Sequence, residues 1–110
     1  MTDFRRFRGD TYADEIIVTD LNDDPIDVTG YTFLQTVDPS PAPEDDTNNV
    51  FQVVGIIVDG PAGRVQFLPT VIQSDNVGNW FHDIQMVDGG GIIRTIDNGR
   101  YDIIQDITKD

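Results

Sequence analysis

The chain has 110 residues, 20 acidic side chains against 7 basic ones, a formal charge of −13, and no cysteine. That length suits one domain with one core. The composition excludes a disulfide framework and a thiolate metal site and a spanning apolar helix, and its acidity argues against a body that grips a phosphate backbone. The N-terminus has no apolar signal core, so signal-directed secretion is not expected. Apolar residues make up 38% and fall in patterned runs, so the acidity does not imply disorder.

In chain order, the first distinctive stretch is FRRFRGDTY (4–12). Arg5, Arg6 and Arg8 are three of the seven basic residues, and residues 9–63 then carry twelve acids and no base. Basic residues interleaved with Phe4 and Phe7 can grip single-stranded nucleic acid, but here they would work against the field of their own domain. Two other readings are compatible with each other. The segment is a first strand whose arginines pair with the domain's own acids, or an arm that reaches an acidic neighbour, with arginine giving bidentate carboxylate contacts.

Downstream, the apolar period is two. EIIVTD (15–20) places Ile16 and Val18 on one face. DLNDDP (20–25) is a turn. YTFLQTV (31–37) places Tyr31, Phe33, Gln35 and Val37 together. DPSPAPEDDTNN (38–49), with three prolines, is expected to be one long exposed loop. VFQVVGIIV (50–58) is apolar on both parities, as for a strand covered on both sides or one that bulges at Gly55. RVQFL (64–68) pairs Val65 with Phe67. PTVIQSDN (69–76) offers one helical turn opened by Pro69, with Val71 and Ile72 tucked inward. WFHDIQMV (80–87) sets Trp80, His82, Ile84 and Met86 on one face. DGGG (88–91) and DNG (97–99) read as tight hairpins around IIRTI (92–96) and RYDIIQDI (100–107). Seven or eight short strands at this spacing indicate a β-sandwich or small barrel. The expected core is Ile16, Val18, Phe33, Val65, Phe67, Trp80, Ile84, Met86, Tyr101 and Ile103.

Little of this carries reaction chemistry. His82 is the only histidine and alternates with core residues, so it reads as a structural histidine. Ser40 and Ser74 lie outside any nucleophile-elbow context. Asp20, Asn22 and Asp24 match the first three slots of a calcium loop, but Pro25 stands where its glycine belongs and Tyr31 where its glutamate belongs, so a turn is the better reading. Gly89–Gly91 precede no helix, which removes a phosphate cradle. RGD (8–10) matches the integrin tripeptide but lies in or beside a strand. No catalytic, cofactor-binding or metal-ligating residue is assigned. Phe81 points opposite to Trp80, and Ile104 opposite to Ile103. Such bulky outward side chains are candidate interface anchors.

RGDTY (8–12), EIIVTD (15–20), DPIDVTGYTF (24–33), VDGPAGRVQFLP (58–69), WFHDIQMVD (80–88) and RTIDNGRYDIIQDIT (94–108) together resemble the small immunoglobulin-like proteins and domains of tailed bacteriophages, the N-terminal domain of the baseplate upper protein among them. The resemblance implies an all-β, immunoglobulin-like sandwich of seven or eight antiparallel strands with one short helical turn. It implies a non-enzymatic virion component made in the host cytoplasm. Asp14 departs from it by standing at an inward, usually apolar position. The chain also ends at Asp110, with no stem or receptor-binding domain after it, which favours a stand-alone capsid decoration or cement protein over a tail, baseplate or head–tail accessory protein. A carbohydrate- or receptor-binding module is a further alternative. Expected partners are the major capsid protein or tail and baseplate proteins, with self-association or many copies on the particle, and neither nucleic acid nor membrane. The candidate contacts are Phe4, Arg5, Arg6, Phe7 and Arg8, then Phe81 and Ile104.

Overall fold

Alternating apolar residues become strands because successive side chains of an extended backbone point to opposite faces, so one face can be buried and the other solvated. A computed structural model describes residues 2–10, 12–40 and 49–105 of the protein. Among the described residues eight strands form: β1 (Phe4–Phe7), β2 (Asp14–Ile17), β3 (Thr32–Asp38), β4 (Phe51–Val54), β5 (Ile56–Asp59), β6 (Arg64–Phe67), β7 (Gly78–Val87) and β8 (Ile93–Ile104). One sheet has the order β1-β8-β7-β3-β4 and the other β2-β6-β5. This is the two-sheet, crossed-over arrangement of an immunoglobulin-like sandwich. The pairing is not wholly antiparallel, because β1 runs parallel to β8.

Nine of the ten expected core residues are buried, and Val28, Val37, Phe51 and Val53 join them. Trp80 is the exception. It lies half-buried against the core, with its indole Nε1 donating to the Asn76 carbonyl at 2.8 Å. A Cβ on Gly78 would come within 2.4 Å of its ring, so the indole folds over that glycine.

The apolar run at 50–58 is neither one doubly covered strand nor a bulge. It leaves the five-stranded sheet as β4 and enters the three-stranded sheet as β5, crossing at Gly55. A Cβ there would stand 2.7 Å from Phe33 Cβ and 2.9 Å from Phe67 Cε1, so only glycine passes between the sheets at this point.

The expected DNG hairpin is absent, because Asp97, Asn98 and Gly99 lie within β8, opposite Ile84, Asp83 and His82 of β7. The ten residues of β7 hold that stretch extended, and the register shift opposite Ile84 and Gln85 leaves Ile96 as the extra, bulged residue. Gly99 serves a close approach: a Cβ would fall 2.3 Å from the Thr2 carbonyl oxygen. The DGGG turn forms as expected, with Gly91 at φ 82° and the Asp88 carboxylate accepting the amides of Gly90 and Ile92.

The helical turn forms as a short 3-10 segment, Gln73–Asp75, but it faces the other way round from expectation. Thr70 and Gln73 exchange hydrogen bonds between backbone amide and side chain, a reciprocal cap. Gln73 also donates to the Gln52 carbonyl and Ser74 is fully buried, so Val71 and Ile72 are turned out to solvent. Of the loop expected over 38–49, Asp38 belongs to β3, and residues 41–48 lie outside those described, as do residues 106–110.

Gly55→Ala should lower stability by about 1–3 kcal/mol through overpacking. Gly89→Ala, whose Cβ would meet nothing within 4 Å, should leave it nearly unchanged. Paired urea unfolding curves check both.

Candidate interaction surface

The arginine-rich N-terminus is a strand of the sheet. Alternation along β1 sends Phe4 and Arg6 inward and Arg5 and Phe7 outward. Thr2 donates its amide to the Asn98 carbonyl at 3.0 Å, and Asp3 Oδ1 accepts the Arg100 amide at 2.9 Å. His82 is buried, and its Nε2 lies 2.6 Å from the Thr2 carbonyl oxygen. A carbonyl only accepts, so the proton sits on Nε2. This leaves Nδ1, 3.4 Å from Gln35 Nε2, as the acceptor. Phe4, His82, Tyr101 and Phe51 form one aromatic cluster with ring centroids 4.9–6.1 Å apart.

Arg6 is 1% exposed and Asp14 5%. Arg6 meets Asp14 at 3.0 Å and donates to the carbonyls of Asp10 and Tyr12, while the Tyr101 hydroxyl donates to Asp14 Oδ2 at 2.6 Å. Its guanidinium carbon lies 4.5 Å from the centre of the Tyr12 ring. The inward acid at position 14, a departure from the expected pattern, therefore receives the inward arginine. Burial pushes the Tyr101 hydroxyl far above its ordinary range, and the Asp14 carboxylate beside it adds to the effect.

Of the seven candidate contacts, Arg6 is thus withdrawn from the surface and Phe4 is packed against the core. Arg8 is partly exposed and paired with Asp75 at 2.7 Å. RGD (8–10) begins in the turn that closes β1, where Gly9 at φ 77° donates its amide to the Ser74 carbonyl. Arg5 and Phe7 are exposed, and Phe7 stands beside Ile104 in the parallel register. Ile104 and Phe81 are half-buried on the same outer face. The structure therefore brings Phe7 and Ile104 together and places Phe81 further along that face, opposite Asp38 of β3.

A second outer face was missed in the sequence. On the three-stranded sheet Ile17 and Ile56 are 54% and 59% exposed, and Leu68, just past the end of β6, is 48% exposed. Between them Arg64 chelates Glu15 through Nε at 2.9 Å and a terminal nitrogen at 3.3 Å, and Gln66 adds a third bond. These bonds, Arg64 first, hold the Glu15 carboxyl below its ordinary range. The parity argument that found Phe81 and Ile104 also applies to Ile17 and Ile56. The calcium-like stretch is a turn: Asp20 Oδ1 accepts the amides of Asn22 and Asp24.

The sequence matches no protein-family model and no curated protein. Among solved structures, the fold is similar to that of the N-terminal domain of phage TP901-1 ORF48, with a TM-score of 0.58 and 11% identity over 94% of this chain and 85% of that one.

Arg6→Ala should cost about 3–5 kcal/mol by leaving Asp14 buried and unpaired, whereas Arg5→Ala should stay within about 0.5 kcal/mol. Arg6→Met combined with Asp14→Leu should recover most of the loss, as read in chemical denaturation. At alkaline pH the folded chain keeps the Tyr101 proton that the unfolded chain releases near pH 10. The native state then binds more protons, so stability should fall as pH rises above about 10. Tyrosinate absorbance should show Tyr101 ionising only together with the loss of far-ultraviolet circular dichroism.

Proposed function

We propose that the protein is a non-enzymatic structural component of a tailed-phage particle that docks on other virion proteins through the outer face of its five-stranded sheet. The observation that carries this reading is the likeness of fold, over nearly the whole chain, to the N-terminal domain of a phage protein, TP901-1 ORF48. The fates of the chemistry-bearing residues support a structural role. His82 latches the N-terminal segment, the hydroxyl of Ser74 donates to the Val71 carbonyl, and Asp20 closes a turn.

On that face the docking elements are Phe7 and Ile104, with Arg5 beside them and Phe81 further along. Bulky apolar side chains supply contact area and arginine supplies directed bonds to carboxylates. Many copies on a symmetric particle give avidity, so each contact can be weak. The resemblance of the sequence to the N-terminal domain of the baseplate upper protein supports a tail address as the alternative to the capsid-decoration role preferred from sequence.

Deleting residues 1–8 is the wrong test, since it would remove Arg6 from the core. Surface substitutions serve instead. Purified protein should rebind particles that lack it. Phe7→Ser with Ile104→Lys should lower occupancy at least ~10-fold, roughly 1.4 kcal/mol, and Arg5→Glu should weaken binding and its salt dependence. Failure of the wild type to rebind would sink the virion reading. Undiminished occupancy of the double variant would sink this face. An electron-microscopy map of the decorated particle reads tail against capsid directly.

A further inference from the structure

Away from the Phe7–Ile104 end, three adjacent strands bring five side chains together on the outer face of the five-stranded sheet. Thr36 and Asp38 come from β3, Phe81 and Asp83 from β7, and Asn98 from β8. The register sets Asp38 opposite Phe81, and aligns Thr36, Asp83 and Asn98 in one row across the strands. Together with Ser40, His82 and Thr95 they line a hollow of about 100 Å³.

Asp38 is what marks this hollow as a site. It is only 5% exposed, although it lies at the end of a strand on a solvent-facing side of the sheet. Its Oδ1 accepts the Ser40 amide at 2.9 Å, but its Oδ2 is buried with no hydrogen-bond partner. A buried carboxylate oxygen without a donor is costly. Turns and caps elsewhere in the chain use aspartate with that cost avoided, as Asp20 and Asp88 do. Asp38 is therefore short of one donor, and it lies in the wall of the hollow.

We infer that this hollow receives a cationic side chain, an arginine guanidinium, presented by a neighbouring virion protein. The choice of cation follows from the lining. Calcium takes six to eight oxygens, usually with several carboxylates. Among the described residues no three acidic or histidine side chains stand close enough to hold a metal. Two carboxylates, an amide, a hydroxyl and an aromatic ring suit a planar organic cation, which spreads several N–H donors in a fork and lays its face on a ring. Guanidinium bonds to carboxylate are charge-assisted and bidentate in favourable geometry. A chain of net charge −13 also attracts a basic partner surface before contact. The identity of the partner rests on the virion reading above; the chemistry of the hollow does not.

The test uses the isolated full-length protein and methylguanidinium chloride as probe, against sodium chloride at equal ionic strength. Amide chemical shifts should move saturably at Asp38, Phe81, Asp83 and Asn98, and not around Glu15 on the opposite sheet. Asp38→Asn keeps an oxygen for the Ser40 amide and removes the negative charge. It should remain folded, with a dispersed spectrum, and should weaken probe binding at least ~10-fold. Phe81→Leu should keep the fold and weaken binding less. Shifts scattered over the acidic surface, or binding unchanged in Asp38→Asn, would overturn the inference. So would calcium chloride displacing the probe at micromolar concentration, since that outcome makes the hollow a metal site. Because no particle is involved, failure here leaves the virion reading standing, and failure of rebinding to particles leaves the hollow's chemistry standing.

Discussion

The ion pair between Arg6 and Asp14 is the contact on which the rest of the sandwich is arranged. Arg6 belongs to the five-stranded sheet and Asp14 to the three-stranded one, so the pair ties the two sheets together. Both charges are nearly removed from water, and such a pair holds only when the remaining donors and acceptors are met. The carbonyls of Asp10 and Tyr12 take further Arg6 protons, and the Tyr101 hydroxyl completes Asp14. One Arg6 atom, Nε, is left without a partner. Because Arg6 also donates to the Asp10 and Tyr12 carbonyls, this cluster also ties down the chain beyond β1.

From that anchor the first strand is held along its whole length by the last one. Parallel pairing with β8, the bonds at Thr2 and Asp3, and the His82 latch together place residues 2–7 in one track. Gly99 is the concession β8 makes to that track, as Gly55 is the concession made where the chain changes sheets. In both places the glycine answers steric demand from a neighbouring element. A turn has no part in either.

The concentration of positive charge near the N-terminus then has two explanations at once. Alternation divides the arginines: Arg6 goes inside to neutralise an acid, and Arg5 stays outside beside Phe7 and Ile104. Arg8, between these fates, clips the strand's exit to Asp75, the last residue of the 3-10 turn. The outer face of the five-stranded sheet thus carries apolar side chains at one end and an acid-lined hollow further along, and the proposed docking uses these. A weak, many-copy contact is the kind of interaction such a surface supports.

Period-two alternation by itself determined most of the fold. It identified the strands around Ile16, Phe33, Val65, Ile84 and Tyr101 and which side of each is buried, because side-chain direction along an extended chain is a local property. It also put Phe81 and Ile104 on the outside, and the same rule would have found Ile17 and Ile56. Tertiary structure decided what depends on neighbours. DNG carries a strong local turn signal, yet the long partner strand β7 keeps it extended. Gly55 reads as a bulge, but its role follows from Phe33 and Phe67 pressing on it from other strands. Sequence alone does not say which of the three nearby arginines meets Asp14, and Asp38 looks like one acid among twenty until the fold buries it. Charge pairing across 8 residues and burial across 43, from Asp38 to Phe81, are properties of how strands are stacked, and the order of stacking is not written in the periodicity of any one of them.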